Sequence, residues 1–245
     1  WNRWWLRDRI NEGLLSYGSS PADNPFNEPV FETKTAAGYE SGMDDSPMYI
    51  GVPFNKKKHT LELQDVGLTS LYIADCRALA EMAGILKRQK EQKELELRAK
   101  QYVLKMEELW SEEFGAYLNY RTDVDSLSTR VSPTLFYPLM AKVGNDEKNE
   151  LIMEHFYNPE EFYGEWMLPS TTRNDSTFSR QRYWKGAIWP PLNFLTYLSL
   201  RQAGYTDAAT ELSEKSLKLI MTEWTRKGYV SENYSAITGT GDDSR

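Results

Sequence analysis

Apolar residues recur every three or four positions along much of the chain, which is the spacing typical of amphipathic helices. The pattern is clearest in residues 95–109, where the apolar positions are Leu95, Ala99, Tyr102, Met106 and Leu109. Comparable patterns predict six further helices, at about residues 1–16, 63–88, 133–142, 147–156, 191–203 and 206–225. We find no pattern of parallel strands, so the sequence predicts an all-α protein.

The same spacing predicts which side chains face the core in two of the longer helices. In the helix at 63–88, the inward positions are expected to be Leu68, Leu71, Asp75, Leu79, Met82 and Leu86. In the last helix, the inward positions are expected to be Leu217, Ile220, Met221 and Trp224. The charged run at 87–94 predicts a solvated helix face, and residues 114–121 are expected to form a short extended segment.

Short turns and long loops alternate between the predicted helices. Residues 18–61 form the longest irregular stretch and contain Pro21, Pro25, Pro29, Pro47 and Pro53. A connection of this length is uncommon in a compact domain unless it is functional. The alternation predicts helical hairpins arranged side by side, as in a toroid of αα-hairpins with the chemistry on one rim. Seven helices are too few to close a ring of six hairpins.

Charge and hydropathy exclude several classes of partner. The chain of 245 residues has 29 Lys and Arg against 36 Asp and Glu, a net charge of −7, so a nucleic acid is not expected as a partner. No apolar run of 18 residues predicts a membrane span, and no signal sequence is present. Because the chain begins with Trp1 rather than Met, the lack of a targeting segment proves nothing, and the compartment stays open.

Aromatic content points to a carbohydrate ligand. Aromatic residues make up 13% of the chain, with 8 Trp and 15 Tyr, and sugar-binding clefts use such rings against the C–H faces of pyranoses. Metal and thiol chemistry find little support, since Cys76 lies in an apolar helical run and His59 and His155 are far apart. We expect no cofactor. A structural calcium ion near the acidic loops fits the composition, but no ligand spacing supports it.

Two separated carboxylate segments predict hydrolytic chemistry. Residues 39–49 carry Glu40, Asp44 and Asp45 between tyrosines, and Glu232 lies among aromatic residues near the other end of the chain. A glycosidase needs such a pair, one protonated acid for the leaving oxygen and one base for water. Taken alone, Asp44 and Asp45 before a Ser-Pro pair are more typical of an Asx turn than of a catalytic site.

Three ordered motifs carry a resemblance to a known family. They are residues 40–47 (ESGMDDSP), 183–193 (YWKGAIWPPLN) and 232–234 (ENY), and together they resemble the catalytic domain of glycoside hydrolase family 63. The first motif is also similar to one in trehalases. The resemblance implies an (α/α)6 toroid that hydrolyses α-glycosidic bonds with inversion, with Asp44 as general acid and Glu232 as general base. Lys185 stands where the family more often has Arg.

The resemblance also implies a set of substrate contacts. The motif from Trp184 to Asn193 matches the wall of the −1 sugar site, and Trp166 with Glu165 is a candidate for a lid. Arg121 and Asp123 either contact a sugar or pair with each other. The expected substrate-binding residues are Tyr39, Glu40, Asp45, Arg121, Trp166, Trp184, Lys185, Gly186, Trp189, Asn193 and Tyr234.

We expect residues 1–245 to be part of a single (α/α)6 catalytic domain that lacks its first and last helices. The expected partners are then a glycoside or oligosaccharide substrate and the remainder of the same domain. Two alternatives stay open: a carbohydrate-binding helical domain without turnover, and a helical protein–protein scaffold. The scaffold predicts that Trp184 and Trp189 pack into the core, whereas a sugar wall predicts that they line an open pocket. Glycone, linkage and substrate length are not given by the sequence.

Overall fold

The structure, a computed structural model, describes residues 1–20 and 33–242. The described residues form α1 (Asn2–Asp8), α2 (Lys34–Ser41), α3 (Val66–Ile85), α4 (Gln89–Met106), α5 (Tyr137–Met140), α6 (Asp146–Tyr157), α7 (Pro190–Ala203) and α8 (Thr206–Lys227). Helix α3 packs along α4 and α7 packs along α8, while α5 lies against both α3 and α7. The predicted arrangement of helical hairpins is therefore present. Residues 21–32, with three of the five prolines of the predicted irregular stretch, lie outside the described residues.

Short strands connect the helices. They are β1 (Ile10–Asn11), β2 (Leu14–Leu15), β3 (Phe54–Asn55), β4 (Thr60–Leu61), β5 (Leu63–Gln64), β6 (Trp110–Ser111), β7 (Ala116–Tyr117), β8 (Asn119–Arg121), β9 (Ser126–Ser128), β10 (Ala187–Ile188), β11 (Asn233–Ser235) and β12 (Gly241–Asp242). All pairs are antiparallel, in the sheets β1–β2, β3–β4, β5–β8–β9, β6–β7 and β10–β11–β12. The predicted extended segment at 114–121 corresponds to β7 and β8.

Two of the predicted elements near the N-terminus differ from the structure. The helix expected over residues 1–16 ends at Asp8, because Glu12 and Gly13 both have positive φ angles, of 51° and 100°, and turn the chain into the β1–β2 hairpin. Two consecutive positive φ angles are typical of a two-residue hairpin turn and incompatible with a continued helix. The stretch expected to be irregular over 18–61 contains the helix α2.

The inward faces predicted for two helices are also wrong in part. In α3 the buried side chains include Tyr72, Ile73 and Cys76, whereas Met82 and Leu86 are exposed. In α8 the buried positions are Ala208, Ala209, Leu212, Leu219 and Glu223, whereas Leu217, Met221 and Trp224 are exposed. Both helices carry apolar residues on more than one face, so that spacing alone does not identify the face that neighbouring elements cover.

Two apolar cores hold the described residues together. The main core spans the helices and includes Leu15, Ile73, Met106, Phe136 and Phe156. A smaller core, called the hairpin core below, consists of Trp166, Ile188, Leu219, Tyr234 and Ala236. No helix among the described residues is long and apolar enough to cross a membrane.

Candidate functional site

Residues 42–50, called the carboxylate loop below, follow directly on α2. The helix ends at Gly42, whose φ of 67° is left-handed and reverses the chain at the cap. Gly38 of α2 faces this loop so closely that a Cβ there would lie 2.6 Å from the backbone oxygen of Asp44. On the far side, the Ser46 hydroxyl accepts a hydrogen bond from the Met48 amide, and Met48 is buried. The loop is thus fixed at both ends, with Asp44 half-buried and Asp45 exposed.

The carboxylate loop contacts the start of the second motif. The Tyr183 hydroxyl donates to Asp44 Oδ2 at 2.7 Å, and the Trp184 amide donates to Asp45 Oδ1 at 3.3 Å. The Lys185 ammonium pairs with Asp45 Oδ2. Two motifs that are 139 residues apart in sequence therefore meet through three consecutive residues.

The third motif reaches the same place through a small sheet. Residues 231–242, called the Glu232 hairpin below, include β11, which pairs with β10 in the register Ala187↔Ser235 and Ile188↔Tyr234. The Tyr234 hydroxyl accepts a hydrogen bond from the Ser231 amide at 3.1 Å and so closes the turn in which Glu232 lies. Glu232 itself is exposed. Because β10 follows Tyr183 by only a few residues, the sheet brings Glu232 to the neighbourhood of the carboxylate loop.

The phenol of Tyr183 lies within the electrostatic reach of both candidate catalytic carboxylates. The hydrogen bond to Asp44 raises the pKa of Tyr183 to about 12, with further contributions from burial and from the charges of Asp44 and Glu232. The phenol therefore stays protonated near neutral pH and remains a donor to Asp44. Tyr183 has a positive φ angle of 55°, a backbone conformation that non-glycine residues adopt at a cost and that clusters at functional sites.

A cavity of about 680 Å³ opens beside these residues, lined by Asp45, Arg180, Arg182, Tyr183 and Lys185. Lys185 is paired with Asp45, but neither Arg180 nor Arg182 has a carboxylate within ion-pair distance in the described part of the chain. Asp44 adjoins the cavity through its hydrogen bond with Tyr183. The cavity therefore has an excess of positive charge, although the whole chain carries a net charge of −7.

Some of the residues predicted to bind substrate form hydrogen bonds or ion pairs with other residues of the chain. The Glu40 carboxylate accepts hydrogen bonds from the buried guanidinium of Arg9, at 2.7 Å and 2.8 Å from Nε, and from the Gly18 amide at 2.7 Å. Of the two alternatives for Arg121, the structure has the pair with Asp123, at 2.6 Å. Tyr39 is exposed on α2.

Other predicted contacts are packed into the interior. Trp184 and Trp189 stack face to face, with ring centroids 3.9 Å apart, and are only 5% and 7% exposed. Their burial is what the scaffold alternative expected, so these two indoles give no support to an open sugar wall. Trp166 and Tyr234 belong to the hairpin core, and buried Asn193 donates to the Met167 carbonyl and the Ser216 hydroxyl. Glu165 of the expected lid pairs with Lys218.

Sequence reasoning assigned no role to four residues of this region: Tyr183, Gln181, Arg180 and Arg182. Tyr183 stands inside the second motif, but its link to Asp44 spans 139 residues and has no local signal. A run of Arg-Gln-Arg just before that motif was visible in the sequence as a cationic flank. No group of three or more His, Cys, Asp or Glu side chains within residues 1–20 and 33–242 is arranged to hold a metal ion.

Comparisons with known proteins give one family for the whole chain. The sequence model of the mannosylglycerate hydrolase MGH1-like glycoside hydrolase domain matches residues 1–245. A mannosyl-oligosaccharide glucosidase of Saccharomyces cerevisiae is 26% identical over 82% of this chain and 26% of its own length. A mannosylglycerate hydrolase of Thermus thermophilus is 25% identical over 76% of this chain and 43% of its own length. The chain thus spans less than half the length of these curated relatives.

Solved structures share the fold. The crystal structure of a family 63 mannosylglycerate hydrolase from Thermus thermophilus in complex with glucose superposes with a TM-score of 0.77 at 21% identity, over 100% of this chain and 63% of that one. The neutral trehalase of Saccharomyces cerevisiae superposes with a TM-score of 0.70 at 21% identity, over 89% of this chain and 41% of that one. The predicted fold class, a portion of an (α/α)6 toroid, is confirmed.

Proposed function

The chain belongs to the mannosylglycerate hydrolase MGH1-like domain family of glycoside hydrolase family 63, and from this premise we propose that it hydrolyses an α-glycosidic bond with inversion. The observation that carries the proposal is Tyr183, whose hydroxyl donates to Asp44 at 2.7 Å and whose pKa is also raised by the charge of Glu232. One phenol thus links the two carboxylates that the motifs single out.

In the proposed reaction Asp44 is the general acid and Glu232 the general base. Glu232 takes a proton from a water molecule as the water oxygen bonds to the anomeric carbon, while the aglycone oxygen leaves with the proton of Asp44. Inverting glycosidases keep their two carboxyl groups roughly 6.5–9.5 Å apart to leave room for that water. Since Asp44 Oδ2 accepts the Tyr183 hydrogen bond, the proton for the leaving group is carried by Oδ1. The reaction needs no cofactor.

We further propose that the aglycone carries a negative charge. Relatives of this chain are mannosylglycerate hydrolases, and glycerate is a carboxylate. The cavity beside Tyr183 matches this chemistry, because Arg180 and Arg182 have no carboxylate partner among the described residues and Lys185 is balanced by Asp45. Guanidinium groups bind carboxylates through paired hydrogen bonds, and a positive cavity on an acidic protein also steers anions toward it.

The domain assignment is also a proposal. We propose that residues 1–245 form part of one (α/α)6 catalytic domain, since the structural match covers this chain completely and 63% of the glucose-bound hydrolase from Thermus thermophilus. A substrate would then contact elements of the whole domain, so that tests of activity require the full-length protein.

The test is proton NMR of the full-length protein acting on α-linked disaccharides and on mannosylglycerate, with the first anomer recorded before mutarotation. Initial release of the β-sugar is expected. The variants Asp44→Asn and Glu232→Gln should each lower kcat by about 10²–10⁴-fold, because each removes one proton-transfer group. Glu112→Gln, an exposed carboxylate without a role here, is the matched control and should keep full activity.

Three results would count against the proposal. Initial release of the α-sugar would mean retention and would remove the assigned roles of Asp44 and Glu232. Full activity in both variants would have the same effect. Sugar binding without turnover by the wild-type protein, unchanged in Asp44→Asn, would instead support the non-catalytic carbohydrate-binding alternative.

A further inference from the structure

Gln181 has a backbone conformation that glutamine adopts only at a cost. Its φ and ψ angles are 46° and 36°, in the left-handed region, where the Cβ atom of an L-residue crowds the backbone. Strained residues of this kind persist when the surrounding structure holds them in place. The side chain of Gln181 supplies such contacts.

The Gln181 amide makes three hydrogen bonds. Its nitrogen Nε2 donates to the Phe178 carbonyl at 2.8 Å, and its oxygen Oε1 accepts from the Ala236 amide at 2.7 Å and from the Ser235 hydroxyl at 3.2 Å. One amide group thus joins two segments of the chain, residues 178–181 and residues 235–236. Ser235 and Ala236 lie 54 and 55 residues after Gln181.

These two segments carry the groups that flank the candidate site. Gln181 precedes Tyr183, the donor to Asp44, by two residues, and Ser235 follows Glu232 by three. The β10–β11 pairing joins the segments again on the other side of Tyr183, through Ala187 and Ser235. Residues 181–188 are therefore fixed to the Glu232 hairpin at both ends, with Tyr183 between the two attachments.

Gly186 leaves the space that this arrangement requires. A Cβ atom on Gly186 would lie 2.8 Å from Gln181 Nε2 and 2.4 Å from the Phe178 carbonyl oxygen, and the residue has a φ of 95°. Only glycine fits both the space and the conformation. Gly186 was predicted to contact substrate. In the structure, its lack of a side chain makes room for the Gln181 amide.

We propose that Gln181 is a positioning residue that sets the separation of Asp44 and Glu232. This inference rests on the function proposed above. The β10 strand has only two residues, so the ladder alone leaves the Glu232 hairpin room to tilt about it, and the Gln181 amide restrains that tilt on the side of Tyr183. Because inversion requires a water molecule between base and anomeric carbon, a small tilt of the hairpin lowers the rate of the chemical step more than it weakens substrate binding.

The hairpin has a second anchor that keeps it folded when Gln181 is replaced. The Arg173 guanidinium donates to the Ala236 carbonyl at 3.3 Å, and also to the carbonyls of Tyr163 and Trp166 at 2.8 Å and 2.6 Å. Ala236 and Tyr234 remain in the hairpin core. Loss of the Gln181 amide should therefore change the orientation of the hairpin while the hairpin itself stays folded.

The experiment compares Gln181→Ala and Gln181→Gly in the full-length protein. Both variants should lower kcat by about 10–100-fold with KM changed less than about threefold, because a misplaced base affects the transition state more than the bound substrate. Glycine accepts the left-handed conformation without strain, so Gln181→Gly should have a higher Tm than Gln181→Ala while its kcat stays equally low. Gln202→Ala, an exposed glutamine in α7, is the matched control.

The outcomes separate this inference from the proposed function. Recovery of kcat in Gln181→Gly together with its Tm would assign the residue to stability alone and overturn the inference. Unchanged kcat in Gln181→Ala, with activity abolished in Asp44→Asn and Glu232→Gln, would overturn the inference and leave the function standing. Full activity in Asp44→Asn and Glu232→Gln would overturn both.

Discussion

The carboxylate loop and the Glu232 hairpin hold the two candidate catalytic groups by different kinds of interaction. In the carboxylate loop, Met43, Met48 and Tyr49 are 3–5% exposed and belong to the main core. In the Glu232 hairpin, Tyr234 and Ala236 belong only to the hairpin core. Large cores fix backbone by close packing over many contacts, whereas a small core leaves more of the positioning to individual hydrogen bonds.

Two buried carboxylates show the same contrast: Asp65 lies near the carboxylate loop, and Glu223 lies near the Glu232 hairpin. Asp65 caps α3 by accepting the Leu68 amide at 2.8 Å, and Asn119 links this helix start to Met48 of the carboxylate loop. Burial raises the pKa of Asp65 to about 6, and only backbone amides oppose that effect. Glu223 of α8 instead has Arg226 at 2.7 Å, and the pKa of Glu223 is lowered to about 2, first by that hydrogen bond.

The difference teaches that the two halves of one site depend on different parts of the sequence. The carboxylate loop depends on apolar volume and on neutral hydrogen bonds beneath it. The Glu232 hairpin depends on polar and ionic side chains, because Glu223 also accepts a hydrogen bond from the Gly241 backbone and so ties α8 to β12. Truncation of side chains in the main core should therefore lower the stability of the whole molecule, whereas truncation in the hairpin core should act locally.

Truncation of a buried side chain in each core gives the largest expected effect. Met48→Ala should lower the free energy of unfolding by about 2–5 kcal/mol, since it leaves a cavity in the main core. Leu219→Ala, in the hairpin core, should speed amide hydrogen exchange in β11 while exchange in α3 and α4 stays unchanged, because the small core opens locally. Hydrogen exchange with mass spectrometry and denaturant unfolding measure both. Faster exchange in α3 and α4 after Leu219→Ala would show that the two cores unfold as one unit.

Removal of the charge on Glu223 comes next. Glu223→Gln should lower the free energy of unfolding at pH 7 by about 1–3 kcal/mol, because the buried acceptor of the Arg226 guanidinium and the Gly241 amide loses its charge. A carboxyl group with a lowered pKa contributes its stability above its unfolded value, about 4.3, and loses it as the pH falls toward 2. The difference between variant and wild type should therefore shrink from pH 7 to pH 3 in urea titrations. The exposed Glu214→Gln should show no such trend, and an equal trend there would refute the assignment.

Replacement of Asp65 should give the smallest change, and one of opposite sign. The pKa of Asp65 is raised above its unfolded value, so its protonated form favours the folded state, and that stability is lost as the pH rises from about 4 through about 6. Asn caps a helix as well as Asp and carries no charge. Asp65→Asn should therefore gain about 1 kcal/mol at pH 7.5 and nothing below pH 4, measured as Tm across this range. Asp207→Asn, an exposed first-turn carboxylate in α8, should show no gain; a matching gain there would point to net charge instead.

The sequence was informative for most features whose determinant is local. Helices α4, α6 and α7 follow from apolar spacing and caps, and the fold class follows from three motifs in order. The turn at Glu12 and Gly13 was missed, although a glycine after two polar residues is a hairpin signal. The burial of Trp184 was missed because composition alone does not distinguish a ring stacked on a second ring from one that faces a cavity.

The long-range hydrogen bonds in and around the site have no signature in the local sequence. Glu40 looked like a sugar ligand, but its partner is Arg9, which lies 31 residues earlier and was part of a predicted helix. Gln181 carries no charge and stood outside the quoted motifs, so that only the positions of Ser235 and Ala236 reveal its role. Such pairs depend on the packing of distant elements, which spacing and composition do not encode.

The hydrogen bond between Tyr183 and Asp44 also has a consequence for the order of folding. It closes a loop of 139 residues, and the contact between Lys185 and Asp45 closes one of 140. Contacts of such long range close larger loops than those within the helical hairpins α3–α4 and α7–α8, whose partners are neighbours in sequence, so we expect them to form later. In a chain made from its N-terminus, Asp44 emerges well before its tyrosine. We therefore expect the acid to gain its hydrogen-bond donor only after the α3–α4 hairpin is in place.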